Sequence, residues 1–368
     1  MKTNSKTTEQ SNIPPSVEIN CSRQFTAWLY EQKLSIVFTT YQGGMVFLIG
    51  LQPDGNLSVF MRRFERCMGL AISKNTLCLS SLYHIWRLEN TLSPGEIYDN
   101  YDAIFLPQLG YVTGDLDVHD IALSVVSPLT KNKQGGVNSQ KLIFVNTLFS
   151  CLAEVSETHS FKFLWKPPFI SKLAAEDRCH LNGLAMKNGE PAYVTAVNQS
   201  DVADGWRDKR VDGGCLIDVP SNEIVVTGLS MPHSPRWEKE RLWVSNSGKG
   251  EFGFVDLKQG KFEPVAFCPG YLRGCAIYGN FAVVGISQPR HNKTFSGLPL
   301  NELLQAKNTE PRCGLLVIDL RSGDIVHWLR LEGAIGELYD VGILPGKRRP
   351  MAYGFQTDEI RRVVTIDK

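Results

Sequence analysis

A six-residue phrase that recurs along the chain constrains the fold more than any other feature of the sequence. Its copies are Arg66-Cys-Met-Gly-Leu-Ala71, Asp117-Val-His-Asp-Ile-Ala122, His180-Leu-Asn-Gly-Leu-Ala185, Met231-Pro-His-Ser-Pro-Arg236, Tyr271-Leu-Arg-Gly-Cys-Ala276 and Glu337-Leu-Tyr-Asp-Val-Gly342. Side chains two apart on a strand share a face. The first column (Arg66, Asp117, His180, Met231, Tyr271, Glu337) and the third (Met68, His119, Asn182, His233, Arg273, Tyr339) are mostly polar or ionisable. The second column, between them, is apolar: Cys67, Val118, Leu181, Pro232, Leu272 and Leu338. Each copy therefore opens a strand with one polar face and one packing face.

The same grammar returns behind every copy. After Met231–Arg236 come the strand-like runs 241–245, 252–256 and 262–267, parted by turns at Gly248-Lys-Gly250 and Lys258-Gln-Gly260. Four short strands per unit, repeating every 40 to 66 residues, predict an all-β fold, a β-propeller of four-stranded antiparallel blades with the phrase as each innermost strand. The interval that runs through the two termini is 97 residues, nearly two periods. Residues 16–20, 34–64, 339–344, 351–355 and 361–366 would fill it, so we expect seven blades closed by strands from both ends, with six blades as the alternative. A doubly wound α/β chain would need a helix between most strands, and good helical windows occur at Leu298–Lys307 and, less clearly, Phe25–Glu31. A pair of β-sandwiches is the other fold to be distinguished. Residues 15–368 are expected to form one propeller domain behind a disordered tail, 1–14.

Composition removes several functional classes. Lys and Arg number 39 against 38 Asp and Glu, with neither sign gathered into a long run, so nothing calls for a nucleic acid or an anionic membrane as partner. Nine cysteines, an odd number, lie mostly within apolar runs and form no CxxC pair, which suits reduced thiols and a cytoplasmic location. The first twenty residues lack the apolar stretch of a secretory signal, and no window approaches a membrane span. No Rossmann fingerprint, phosphate loop or GxSxG elbow is present.

The stretches TTYQGG, TGDLDVHDIA, CHLNGLA, MPHSPRW and RLWVSNSGKGEFG together resemble a family of bacterial conserved hypothetical proteins that carries a domain of unknown function. The resemblance runs from about residue 20 to the end. It implies one globular repeat domain and brings no chemistry with it.

Function must then be read from the polar columns. His119, His180 and His233 begin inner strands at equivalent places, and three imidazoles converging on an axis suit Zn²⁺, Fe²⁺ or Cu²⁺, with Asp117, Asp120 or Glu337 as a further ligand or as a carboxylate that orients the ligands. Without a metal, the same histidines supply general acid and base, Arg273 and Arg66 hold an anionic group, and Tyr339 donates a hydrogen bond. Either set suits a lyase, hydrolase or isomerase acting on a small polar or anionic metabolite or sugar in the central channel. Asn182 lies in the third column, while Asn146, Asn246 and Gln356 sit among the amides and hydroxyls at the exits of the next strands, and all four are candidate substrate-binding residues. The plain alternative is a structural channel whose polar groups bind water and tie the blades together. A non-catalytic propeller that presents rim loops to a protein or glycan is the second functional reading. Trp86, Trp243 and Trp328 are expected to pack between blades; the segment 202–212, with Trp206 among charges, reads by default as an exposed turn, with a loop over the channel mouth as the alternative.

Overall fold

The computed structural model describes residues 17–124, 140–289 and 296–366. The expected tail, 1–14, lies outside them. Every strand but one pairs antiparallel, and the strands form six sheets among the described residues, each begun by one copy of the phrase. The innermost strands are Leu70–Ser73 (blade 1), Val118–Leu123 (blade 2), Leu181–Lys187 (blade 3), Pro232–Glu238 (blade 4), Tyr271–Tyr278 (blade 5) and Val341–Pro345 (blade 6).

Each blade is a meander because its turns carry the residues that tight hairpins need. Between the first two strands of blade 3, Asn188 and Gly189 both adopt positive φ, 54° and 83°, the geometry a two-residue turn between twisted strands requires. Second strands such as Leu34–Thr40 are buried along their whole length, since each lies between two neighbouring blades. Apolar residues of adjacent blades merge into six clusters, one at each junction. The 25–31 window is helical, Phe25–Gln32, and lays Phe25, Trp28 and Leu29 into the cluster between blades 5 and 6. Trp243 is buried between blades 4 and 5, while Trp86 and Trp328 are partly buried against their junctions.

The count is six blades, which corrects the expected seven. Val341–Pro345 is the inner strand of the blade completed by Leu34–Thr40, Met45–Leu51 and Leu57–Arg63, so both chain ends do share a closing blade. The surplus strands cap exposed edges instead of building another unit. Val17–Cys21 pairs outside Ile325–Gly333 of blade 5, and Pro350–Ala352 runs parallel to Ala103–Val112 at the rim of blade 1. Of the 361–366 run, the first two residues end a 3-10 turn, Asp358–Arg362, and the rest form no strand.

Two sets of hydrogen bonds lock the ring near its axis. Hydroxyls at the ends of second strands donate to phrase carbonyls of the next blade: Thr39 to Met68 (2.6 Å), Ser80 to Val118 (3.1 Å), Thr147 to Leu181 (2.6 Å), Ser247 to Leu272 (2.8 Å) and Ser287 to Leu338 (3.2 Å). The fourth column then alternates around the ring: Gly69, Asp120, Gly183, Ser234, Gly274, Asp340. Each polar member accepts a main-chain N–H of the next, glycine-bearing blade. Asp120 takes Leu184 N (3.0 Å), Ser234 takes Gly274 N (2.9 Å) and Asp340 takes Leu70 N (2.9 Å). The glycines make room on their other side, for the blade that follows: a Cβ on Gly183 would stand 2.3 Å from Pro235 Cδ of blade 4 and one on Gly274 2.6 Å from Val341 N of blade 6.

Candidate functional site

Residues at the start of the inner strands build a layered site at one mouth of the channel. The first column forms the outer layer, and its backbone is strained: Arg66, Asp117, His180 and Met231 all adopt positive φ, between 44° and 52°. The inner strands of blades 2 to 5 also bulge within the phrase, which re-aims the third-column side chains inward. His119, Asn182, His233, Arg273 and Tyr339, five of the six third-column residues, line one cavity floored by Asp120, Ser234 and Asp340. About 10 Å³ between these walls accepts the centre of a water molecule, room for about one water.

Below the cavity floor, Arg236 closes the channel. From blade 4 its guanidinium reaches Asp120 of blade 2 (2.8 Å) and Asp340 of blade 6 (3.3 Å). Burial, with the charge of Asp120, pushes the Asp340 carboxyl upward against the opposing pull of Arg236. Beyond this bolt the far end of the channel opens as a largely apolar funnel lined by Ile72, Leu123, Met186, Trp237, Ile277 and Ile343.

Hydrogen bonding fixes the tautomers of two histidines. His119 Nδ1 lies 2.9 Å from the Asp117 carbonyl and 2.8 Å from Thr147 Oγ1, whose own hydrogen is committed to Leu181. Both neighbours can only accept, so the proton sits on Nδ1 and the lone pair on Nε2. His233 repeats the arrangement with the Met231 carbonyl (2.8 Å) and Ser247 Oγ (3.2 Å), and its buried Nε2 has no partner among the described residues. Burial holds His119 down at about 4, and burial with the nearby Arg273 holds His233 well below the usual imidazole range. Both are neutral at pH 7.

His180 is held differently. Its Nδ1 donates to Asp177 Oδ2 (2.9 Å), which also accepts the indole N–H of Trp206 (2.8 Å). Burial pushes the Asp177 carboxyl up, but the charge and hydrogen bond of His180, with His119 and Trp206, outweigh it and keep it ionised. The His180 ring meets that of His119 edge to face at 4.8 Å and stacks on Trp206 at 4.1 Å. Trp206 is buried, not in the exposed turn expected, and packs under Leu298, Leu300 and Leu304 at the helix Pro299–Ala306.

Arg273 supplies the positive charge of the cavity. Burial opposes it, yet Tyr339, Tyr271, Glu337 and Asp117 hold its pKa above the ordinary value, so it stays charged. The guanidinium lies over the Tyr339 ring (4.5 Å) and near that of Tyr271 (5.6 Å). Burial raises the Tyr339 phenol well above its normal range, so it remains a donor.

The remaining candidates fall in two groups. Arg66 is at the mouth but is paired with Asp115 and, at 3.6 Å, Asp117. Asn146 and Asn246 turn inward to cap loops, accepting from Phe149 N (3.1 Å) and Ser230 N (2.8 Å). Gln356 is exposed on the C-terminal segment and does not line the cavity. The expected Zn, Fe or Cu set of His119, His180, His233, Asp117 and Glu337 does not come together: no group of three or more His, Cys, Asp or Glu placed to hold a metal occurs among the described residues. The Nδ1–H of His119 and His233 is fixed by carbonyls and leaves each Nε2 lone pair available, so the shortfall lies in how the groups are placed and not in their tautomers. Asp177 and Arg236 were missed in the sequence, although the Asp177–His180 spacing was a visible signal, while Trp206 follows the alternative reading of its segment as a loop at the channel mouth.

Fold and site define a six-bladed β-propeller with an enclosed, donor-rich pocket on its axis. The chain belongs to the family described as "Domain of unknown function (DUF4915)", whose profile matches residues 23–353. No curated protein matches the sequence. Among solved structures, a chain of the nidogen/laminin complex is similar at TM-score 0.51 with 11% identity, covering 85% of this chain and 99% of that one. A protein of unknown function from Bacteroides caccae is similar at TM-score 0.47 and 10% identity, covering 84% and 98%. Virginiamycin B lyase from Staphylococcus aureus reaches TM-score 0.36 and 13% identity, over 68% and 77%. The first of these speaks for the fold alone, and the other two carry no argument. Among the described residues no helix is long and apolar enough to cross a membrane.

Proposed function

We propose that the protein is an enzyme whose site is the axial cavity and that it performs metal-free acid–base chemistry, of lyase, isomerase or hydrolase type, on a small anionic molecule. One observation carries this reading: Asn182 Nδ2, His233 Nε2, Arg273 Nε and Tyr339 Oη are buried without hydrogen-bond partners among the described residues, and their residues line one cavity with His119, whose ring meets that of His180 at 4.8 Å. Unsatisfied buried polar groups are costly, and they are retained where a ligand completes them. His180, oriented by Asp177, is the general base or acid; Arg273 and Tyr339 hold the anion; His119 relays or accepts a proton next to His180. The nine free cysteines support a cytoplasmic setting.

The small space on the axis favours a second reading, a scaffold that binds a protein or glycan through its rim loops. Thermal-shift screening of the purified protein against small carboxylates and sugar acids, then NMR in D₂O for exchange or conversion of each hit, separates the two. The enzyme reading expects hits and chemistry that His180→Asn abolishes while the hits still bind. No shift and no conversion with any acid overturns it in favour of the scaffold.

A further inference from the structure

A second cavity, of about 260 Å³, opens at the rim of blade 5 and shares no lining residue with the axial one. Its apolar wall comes from Ile286 near the end of the strand Phe281–Ser287, Leu316 of Gly314–Asp319 and Trp328 of Ile325–Gly333, three residues that also pack at the junction between blades 4 and 5. Its polar wall comes from the linker behind the helix Pro299–Ala306. Main-chain bonds pin that linker twice, Thr309 N donating to Leu304 O (3.0 Å) and Arg312 N to Pro269 O (3.0 Å), which places both residues along the cavity. Arg330 completes the lining. It lies two residues beyond Trp328, on the same face of the strand, with its guanidinium 4.1 Å from the centre of the indole ring.

Charge is left uncompensated in this cavity, since Arg312 and Arg330 are half-buried and neither makes an ion pair among the described residues. A cation partly withdrawn from water against an apolar wall gains from a ligand that both neutralises it and covers the wall. We infer that the cavity binds an organic acid, its carboxylate held by Arg312 and Arg330 and its apolar body lying on Ile286, Leu316 and Trp328. An inorganic anion would leave the wall bare, and a neutral hydrocarbon would leave both guanidinium groups without a counter-charge. Size narrows the class further. An apolar space of about 150 Å³ takes one benzene molecule, so the larger volume here admits one ring with a short acid arm.

Three probes titrated into the full chain test this: 3-phenylpropionate, its amide and acetate. The indole N–H signal of Trp328 in nitrogen–proton NMR spectra, assigned by its loss in Trp328→Phe, locates the binding. Phenylpropionate should move that signal and bind at least roughly tenfold more tightly than the amide, which cannot make the charge-assisted contact. Acetate should not bind measurably. Arg312→Gln and Arg330→Gln should each bring acid and amide toward parity. Equal affinity of acid and amide for the wild-type protein overturns the inference, as does a Trp328 signal that stays in place at millimolar acid. An acid that binds without moving that signal, and whose binding is lost in Arg273→Gln, lies on the axis; that result overturns the rim site and leaves the axial reading standing. The comparison of acid with amide needs no variant to fold.

Discussion

The indole of Trp206 stacks on the imidazole of His180 with ring centroids 4.1 Å apart, and its N–H and the His180 Nδ1 meet on one carboxylate oxygen of Asp177. A residue from a loop between blade strands thus holds the catalytic candidate from behind. Trp206→Phe keeps the stacking and loses one hydrogen bond to a carboxylate, so it should lower unfolding free energy by about 1–2 kcal/mol. Trp206→Ala should cost about 3–5 kcal/mol by also emptying the space under Leu298, Leu300 and Leu304. Urea unfolding of both variants checks the order, and equal losses would show that the space filled by the ring matters little.

Acid should destabilise the fold through the buried histidines. His119 is depressed from 6.5 to about 4, so the stability it contributes is complete above the unfolded value of 6.5 and is lost as pH falls toward 4. His233 acts in the same direction. Between pH 7 and pH 5 the His119 share of the loss should be roughly 2 kcal/mol. Denaturation midpoints at these two pH values, in wild type and His119→Asn, read the effect as a shallower slope in the variant; an unchanged slope would remove His119 from the account.

Thr147 both staples blade 2 to blade 3 and accepts from His119 Nδ1. Thr147→Val preserves shape but strips both bonds, and about 1–3 kcal/mol should be lost. Thr147→Ser should restore most of it. Nitrogen chemical shifts of His119 give an independent reading: the Nδ1-protonated tautomer should dominate in wild type and in the serine variant.

The fourth-column glycines should tolerate a methyl group unequally. At Gly183 a Cβ would meet Pro235 Cδ at 2.3 Å and Thr195 Oγ1 at 2.6 Å, whereas at Gly69 the nearest atom, Ile121 Cγ1, is 3.0 Å away. Gly183→Ala should therefore destabilise by about 2–3 kcal/mol and Gly69→Ala by clearly less. Melting temperatures ranked the other way would contradict the close inter-blade approach described for blades 3 and 4.

Arg236 should be the most expensive single truncation on the axis. Arg236→Met leaves Asp120 and Asp340 buried without their shared cation, a loss of about 3 kcal/mol or more. Combining it with Asp120→Asn and Asp340→Asn should recover part of that loss, and a triple variant no better than the single one would argue against the ion triad.

Much of this arrangement was legible in the repeat itself. Alignment of His119, Asn182, His233, Arg273 and Tyr339 in one column placed five cavity residues together before any coordinates, because a repeated strand register carries equivalent positions to equivalent places. The blade number was not legible, since the strands at 17–21 and 350–352 look like others in sequence yet pair at outer edges, and edge pairing leaves no periodic trace. Asn146 and Asn246 were misread for a related reason: an amide at a strand exit serves a cap as readily as a ligand. The metal set fell short on placement, since a shared column fixes the strand position of each residue and not the reach of its side chain. Trp206 was hidden because its burial depends on a helix some ninety residues later in the chain.

The alternation of Gly69, Asp120, Gly183, Ser234, Gly274 and Asp340 carries a rule about parity. A pattern in which each polar residue takes an N–H of the glycine-bearing blade ahead of it, while the glycine of the blade behind makes room for its own strand, joins up only on an even ring. Adding or deleting one blade would set two carboxylate-bearing strands, or two bare ones, side by side at the waist. In this lineage a change in ring size that keeps the pattern would have to come as a pair of blades, one of each kind, so the repeating unit at the axis is the pair and not the single blade.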